Sequence, residues 1–145
     1  MPTVKDILER KGSQVFTIGK GATVLEAAVL MNEHKVGGLV VIEDGRVAGM
    51  FTERDVLRRV VGEQRDPART TVAEVMTAEI ACSTLETTLE EARGAMKNRR
   101  IRHLPVMDGD QRLLGLISIG DLNAYDGFAQ EQTIYLLQEY LYGRV

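Results

Sequence analysis

Two stretches of this sequence share one skeleton: GMFTERD at 49–55 and GLISIGD at 115–121. Each runs glycine, two apolar residues, a hydroxyl, two variable residues and an aspartate, and the aspartates stand 66 positions apart. A hydroxyl three residues ahead of a carboxylate suits two kinds of chemistry. In the first, Thr52 with Asp55 and Ser118 with Asp121 cap helix N-termini. The hydroxyl accepts from a free backbone N–H, and the carboxylate favours the first turn. In the second, the same helix start faces a phosphate, the hydroxyl donates to it, and the aspartate accepts from two neighbouring ribose hydroxyls. That combination suits a nucleotide better than free phosphate, which a carboxylate repels. Duplication does not choose between the two, because a duplicated unit duplicates its caps.

The elements that must carry these residues are themselves repeated. Residues 22–42 lie over 87–107 without a gap, placing Thr23 on Thr88, Glu26 on Glu91, Ala27 on Ala92, Met31 on Met96, Leu39 on Leu104 and Val41 on Val106. One extra residue in the second turn then brings Arg46 onto Arg112, Gly49 onto Gly115 and Asp55 onto Asp121. The lead-ins TVKDIL at 3–8 and TVAEVM at 71–76 share a pattern too. Each copy predicts a short apolar strand (VFTI; EIACS) and a helix capped by a hydroxyl. Apolar residues on the helix recur at helical spacing: Val24, Ala27, Ala28 and Met31, then Leu89, Ala92 and Met96. A buried strand (LVVI; LPVM), a turn and another strand (VAGMF; LLGLI) follow, and the hydroxyl-x-x-Asp element opens a second helix. The fold class expected is α/β, with a β-α-β-β-α unit occurring twice. At about 65 residues neither half is comfortable alone, so the two are expected to pack as one pseudo-symmetric body. The expected boundaries are 1–66 for the first repeat with its lead-in helix, 67–125 for the second, and 126–145 for a C-terminal helical tail. Pro67 and DPARTT mark the linker, and Ile134, Leu137 and Leu141 form an apolar stripe on the tail. That stripe would dock on the protein's own core or on a second subunit.

Composition narrows the function classes. The chain has 145 residues, 44% of them hydrophobic and 27% charged, with no tryptophan, so the core must come from Val, Leu, Ile, Ala and Met. A net charge of −3 gives no general pull toward nucleic acid or an anionic membrane. No apolar run approaches the roughly 20 residues of a membrane span. MPTVKDILERKG lacks a signal-peptide core, and a cytoplasmic location is expected. A single cysteine, Cys82, excludes an internal disulfide and a multi-cysteine zinc site, and reads as a small apolar strand residue. With only His34 and His103 a His-rich metal site is not available, and His34 is expected to face solvent. No GxSxG, HExxH or Walker A pattern occurs, and GKGAT at 19–23 lacks the phosphate-loop spacing, so no catalytic residue is expected. The RRIRH cluster is short and has no aromatic platform for nucleic acid.

The blocks VGGLVVIEDGRVAGMFTERD and IRHLPVMDGDQRLLGLISIGD carry a specific likeness. Over roughly residues 3–125 the chain resembles a CBS-domain pair, or Bateman module, most closely the short bacterial proteins built only of such a pair. The resemblance implies that Thr52 and Ser118 contact phosphate and that Asp55 and Asp121 hold ribose. It places adenine against Val36, Gly37 and Gly38, or against Ile101, Arg102 and His103. The ligands it implies are adenosine compounds: AMP, ADP, ATP, NAD or S-adenosylmethionine. It also implies a flat homodimer of modules. The copies differ in charge, since NRRIRHLP replaces EHKVGGLV and Arg54 stands where the second copy has Gly120. Arg54, Arg102 and His103 are therefore the expected phosphate partners, the arginines through bidentate hydrogen bonds. A packed His103 and solvated Arg99 and Arg100 remain the alternatives. The function expected is a regulatory adenosine-nucleotide sensor without a catalytic cofactor. It would act through an unidentified downstream protein or a change of assembly. The competing reading is a ligand-free dimeric scaffold in which both motifs serve only as caps.

Overall fold

The computed structural model describes residues 1–142, with side chains beyond Gly127 described only at Gln130, Ile134 and Leu137. The first repeat follows helix α1 (Val4–Lys11) and comprises β1 (Thr17–Gly19), α2 (Val24–His34), β2 (Gly38–Glu43), β3 (Arg46–Thr52) and a short helix α3 (Glu53–Asp55) that runs into a π-helical stretch, Val56–Val61. The second follows α4 (Val72–Val75) and comprises α5 (Leu89–Arg99), β4 (His103–Met107), β5 (Leu113–Ser118) and α6 (Ile119–Tyr142).

Local chemistry sets the helix ends. Thr23 and Thr88 accept from the N–H groups of Glu26 and Glu91 at 3.1 Å each, opening α2 and α5. Both helices stop on a left-handed residue, Lys35 at φ 54° and Arg100 at φ 55°. Each buries the face its apolar spacing predicts: Val24, Ala27 and Met31 in one, Leu89, Ala92 and Met96 in the other. Strands β2 and β3 pair antiparallel, as do β4 and β5, and both pairs slip register at equivalent points, Val41/Ile42 and Val106/Met107.

The repeats part at their first strand. β1 pairs parallel with β2, and Val40 donates its N–H to Phe16 at 3.2 Å. EIACS, the expected counterpart, forms only an isolated bridge between Ser83 and Val106. The residue equivalent to Val40 is Pro105, which has no N–H to give Ala81, so the ladder stops after Ser83 N–H to the Pro105 carbonyl and Met107 N–H to the Ser83 carbonyl, 2.9 Å each. Cys82, expected as an apolar strand residue, is exposed and lies outside any strand.

The lead-in helices cross over. Val4, Ile7 and Leu8 of α1 pack with Leu89, Met96, Leu104, Ile117 and Leu122 of the second repeat. Val72 and Val75 of α4 pack with Val24, Met31, Leu39, Phe51 and Val60 of the first. The Val4 N–H to the Thr87 carbonyl and the Val72 N–H to the Ala22 carbonyl, both 2.8 Å, tie the exchange down. Each buried side chain of this kind is worth about 1.5–3 kcal/mol, so neither core is complete without the other half's helix. The leading glycine of each motif makes room for the exchange. A Cβ on Gly49 would stand 2.5 Å from the Thr77 carbonyl oxygen, and one on Gly115 would stand 2.9 Å from a Leu8 methyl. On α6, Ile134 and Leu137 are exposed rather than docked on this core, and the Leu141 side chain lies outside the described residues. Among the described residues no helix is long and apolar enough to cross a membrane.

Candidate functional site

The second motif joins β5 to α6 as a reciprocal cap. Ser118 N–H donates to Asp121 Oδ2 at 2.8 Å, and Asp121 N–H donates to Ser118 Oγ at 3.1 Å. Ser118 Oγ thus acts as an acceptor, which keeps its own O–H proton for a ligand. Lys11, the last residue of α1, reaches the motif because its helix has crossed over. Its Nζ lies 2.8 Å from Asp121 Oδ2 and 2.7 Å from the Leu116 carbonyl oxygen. The Asp121 side chain remains 23% exposed. A cleft of about 260 Å³ opens beside it. Its apolar and backbone wall is Val15, Phe16, Val36, Gly37, Gly38 and Leu116, and its polar end is Lys11, Gln14, His103, Ser118 and Asp121. His34 is exposed, as expected, and its ring stacks on Phe16, centroids 3.9 Å apart and 13° from parallel. Burial pushes the His103 imidazole below its ordinary value of 6.5; Lys11 and Arg102 reinforce this, while Asp121 and Glu53 partly oppose it. A neutral imidazole at pH 7 offers one donor and one acceptor to the cleft.

The first motif has the same spacing and also closes as a capping box, Thr52 with Asp55, but in a more enclosed setting. Asp55 is 6% exposed. Its Oδ2 accepts from Thr52 N–H at 3.0 Å and from the Thr52 hydroxyl at 3.3 Å. Its Oδ1 accepts from the Thr77 hydroxyl at 3.2 Å and has Arg59 Nε at 3.8 Å. Thr77 is held there by a two-way backbone pair with Met50, 2.9 Å in each direction. The Thr52 proton is therefore already spent on Asp55, and both carboxylate oxygens are engaged. In both motifs the first helical N–H is also taken within the protein, Glu53 by the Gly37 carbonyl at 3.0 Å and Ile119 by the Arg102 carbonyl at 2.9 Å.

Of the residues singled out from sequence, Val36, Gly37, Gly38, His103, Ser118 and Asp121 line the cleft together. Arg54, Ile101 and Arg102 instead line a separate depression with Arg93, Met96, Lys97, Arg100 and Ile119. Thr52 and Asp55 line neither. No motif pointed to Lys11, Gln14, Val15 or Phe16. The one available signal was the repeated lead-in, which says that 3–8 and 71–76 do equivalent work without saying on which half. Among the described residues no group of three His, Cys, Asp or Glu side chains could hold a metal ion.

Comparison with known proteins places this arrangement. The chain is 38% identical over 122 residues to the CBS domain-containing protein YhcV of Bacillus subtilis, covering 84% of each. A solved CBS-domain containing protein of Agrobacterium tumefaciens superposes with a TM-score of 0.80 at 38% identity, over 86% of this chain and 98% of that one. The CBS domain pair of protein MJ0100, solved with 5′-methylthioadenosine and S-adenosyl-L-methionine, shares the fold at a TM-score of 0.77 and 21% identity, over 89% and 98%. The sequence profile of the CBS domain matches residues 4–62 and again 72–126. Two matched repeats, each finished by the other's lead-in helix, are what the fold shows, and the chain belongs to the CBS domain family.

Proposed function

We propose that this protein is a regulatory module that binds an adenosine ligand in the cleft beside Ser118 and Asp121. The observation that carries the reading is that the second motif, unlike the first, keeps a hydroxyl proton and a partly exposed carboxylate at the mouth of a cleft. Asp121 holds the ribose hydroxyls, Ser118 donates to the 5′ substituent, and adenine lies on the wall formed by Val36, Gly37 and Gly38. Lys11 releases Asp121 to the ribose and turns to the substituent's charge. It is the one lysine or arginine lining the cleft among the described residues, and Asp121 already offsets it. AMP or a similarly low-charged adenosine compound fits that balance better than ATP. The adenosine compounds bound by the MJ0100 pair are in keeping with this class.

Because Lys11 ends a helix seated in the second core, its release couples the cleft to the packing of both halves. Output then passes to a second copy or a downstream protein. The exposed pairs Leu57 with Val61 and Leu25 with Val29 offer an apolar face to such a homodimer. The competing reading, a ligand-free scaffold, has its own support in the fact that both motifs close as reciprocal caps.

Calorimetric titration of ligand-stripped protein with AMP, ATP and NADH separates the two. Saturable AMP binding is expected, weakened about tenfold or more by Asp121→Ala in protein that stays folded. Failure of wild type to bind any of the three would sink the sensor reading and favour the scaffold.

A further inference from the structure

Helix α6 runs on past Asp126 over residues 127–142, about 24 Å at 1.5 Å per residue. The second matched repeat ends at residue 126, so this length belongs to neither copy of the duplicated unit. Up to that point the helix is seated. Leu122 is buried in the second core, Tyr125 packs against that core, and Arg93 of α5 holds Asn123 and Asp126. Past it, Gln130, Ile134 and Leu137 are all exposed, the two apolar residues at 55% and 52%. We propose that this stripe is an interface with a second copy of the chain, in which the two α6 helices pair antiparallel.

Gln130, Ile134, Leu137 and Leu141 stand 4, 3 and 4 positions apart. That alternation is the narrow seam of a two-stranded coiled coil, not the wider face that a helix turns to its own core. Laid antiparallel about a point between residues 135 and 136, the sequence complements itself. Ile134 falls opposite Leu137 of the second copy, Leu137 opposite its Ile134, and polar Gln130 closes each end opposite Leu141. A two-fold contact of this kind uses the same patch on both chains and needs no further partner.

Charge complementarity sets the direction. After Arg112 the sequence carries four carboxylates, Asp121, Asp126, Glu131 and Glu139, and a single cation, Arg144, near its end. Parallel pairing sets Asp126 beside Glu131 of the second copy and leaves the cationic end beside its own like. Antiparallel pairing sets Glu131 beside Gln138 and Thr133 beside Tyr140, and turns the cationic end toward the acidic start of the other helix. Opposed helix dipoles favour the same direction. Because α6 begins at the Ser118–Asp121 cap, one continuous helix joins the cleft to the second copy. The pairing itself does not depend on the adenosine reading.

The test uses the full chain. Sedimentation over a concentration series compares wild type with Ile134→Glu/Leu137→Glu, both substitutions falling on exposed residues. Self-association is expected to weaken about tenfold or more, with the melting temperature unchanged at a dilution where the two sediment alike. In a Cys82→Ser background, which leaves no other thiol, Ile134→Cys and Leu137→Cys proteins are then mixed in equal amounts and air-oxidised. The mixed 134–137 disulfide is expected to form in preference to 134–134 and 137–137. That cross-link reads the helix pair itself, so it stands or falls apart from adenosine binding and from the apolar face at Leu57 and Val61. A preference for the two symmetric disulfides means parallel pairing and overturns the proposal. So does unchanged self-association in the double glutamate variant, which leaves the stripe to a different protein. So does a lowered melting temperature of that variant at the same dilution, which places the stripe on the protein's own core.

Discussion

Asp55 and Asp121 hold equivalent positions in the two repeats, yet Asp55 is sealed inside the protein with both oxygens engaged, whereas Asp121 meets Ser118 and Lys11 at the mouth of a cleft. What separates them arrives from the exchanged lead-ins. After α4 the chain delivers Thr77, a short hydroxyl fixed by its own backbone pair with Met50. At the end of α1 it delivers Lys11, a long side chain on a flexible stem that can give up one partner for another. Copying the fold copied the caps. Ligand readiness depends on the residue that crosses over.

The largest expected difference is in stability. Asp55→Ala leaves the Thr52 N–H and the Thr52 and Thr77 hydroxyls without their acceptor in a partly buried place, at an expected cost of about 2–3 kcal/mol. Asp121→Ala removes a cap contact at a half-exposed helix start, at about 1 kcal/mol. Urea unfolding of both variants checks this, and equal losses would end the distinction between a sealed and an open motif.

The glycines give a smaller contrast of the same kind. At Gly49 the obstacle to a methyl group is the backbone oxygen of Thr77, which cannot move without breaking the pair with Met50. At Gly115 the obstacle is the far end of the Leu8 side chain, which can turn aside. Gly49→Ala is therefore expected to cost about 2–3 kcal/mol and Gly115→Ala about 1 kcal/mol, on the usual scale for overpacking. Thermal melts that rank them the other way would mean that the crossing of α1 is the stiffer of the two.

Much of this was legible in sequence because it is local. Hydroxyl caps, apolar spacing on α2 and α5, and the paired strands each follow from a few neighbouring residues, and the structure repeats them in both halves. The crossover was not legible, since TVKDIL and TVAEVM present the same apolar pattern and either fits either core. Lys11 was missed for that reason: its role depends on where α1 goes. Arg54 and Arg102, paired by the charge difference between the copies, do lie together, in a depression separate from the cleft beside Ser118 and Asp121. The missing third strand has its own mark in the sequence. LVVI and LPVM differ at the residue whose N–H decides whether the ladder continues, and apolar content in EIACS masked it.

Pro105→Val probes that last difference, with the smallest expected effect. Valine restores a donor opposite the Ala81 carbonyl, the contact that Val40 makes with Phe16 in the first repeat. A new ladder bond contributes about 1 kcal/mol, while the freedom regained by the unfolded chain on losing proline removes about 0.4–1 kcal/mol. Net stability should therefore barely move, and the informative readout is amide exchange. A slowly exchanging amide at position 105, with EIACS drawn into the sheet, would make the two halves alike and show that one missing N–H separates them. A fast one would mean that the segment before Ser83 is held off β4 by its own route past α1, and the asymmetry would then belong to the crossover rather than to proline.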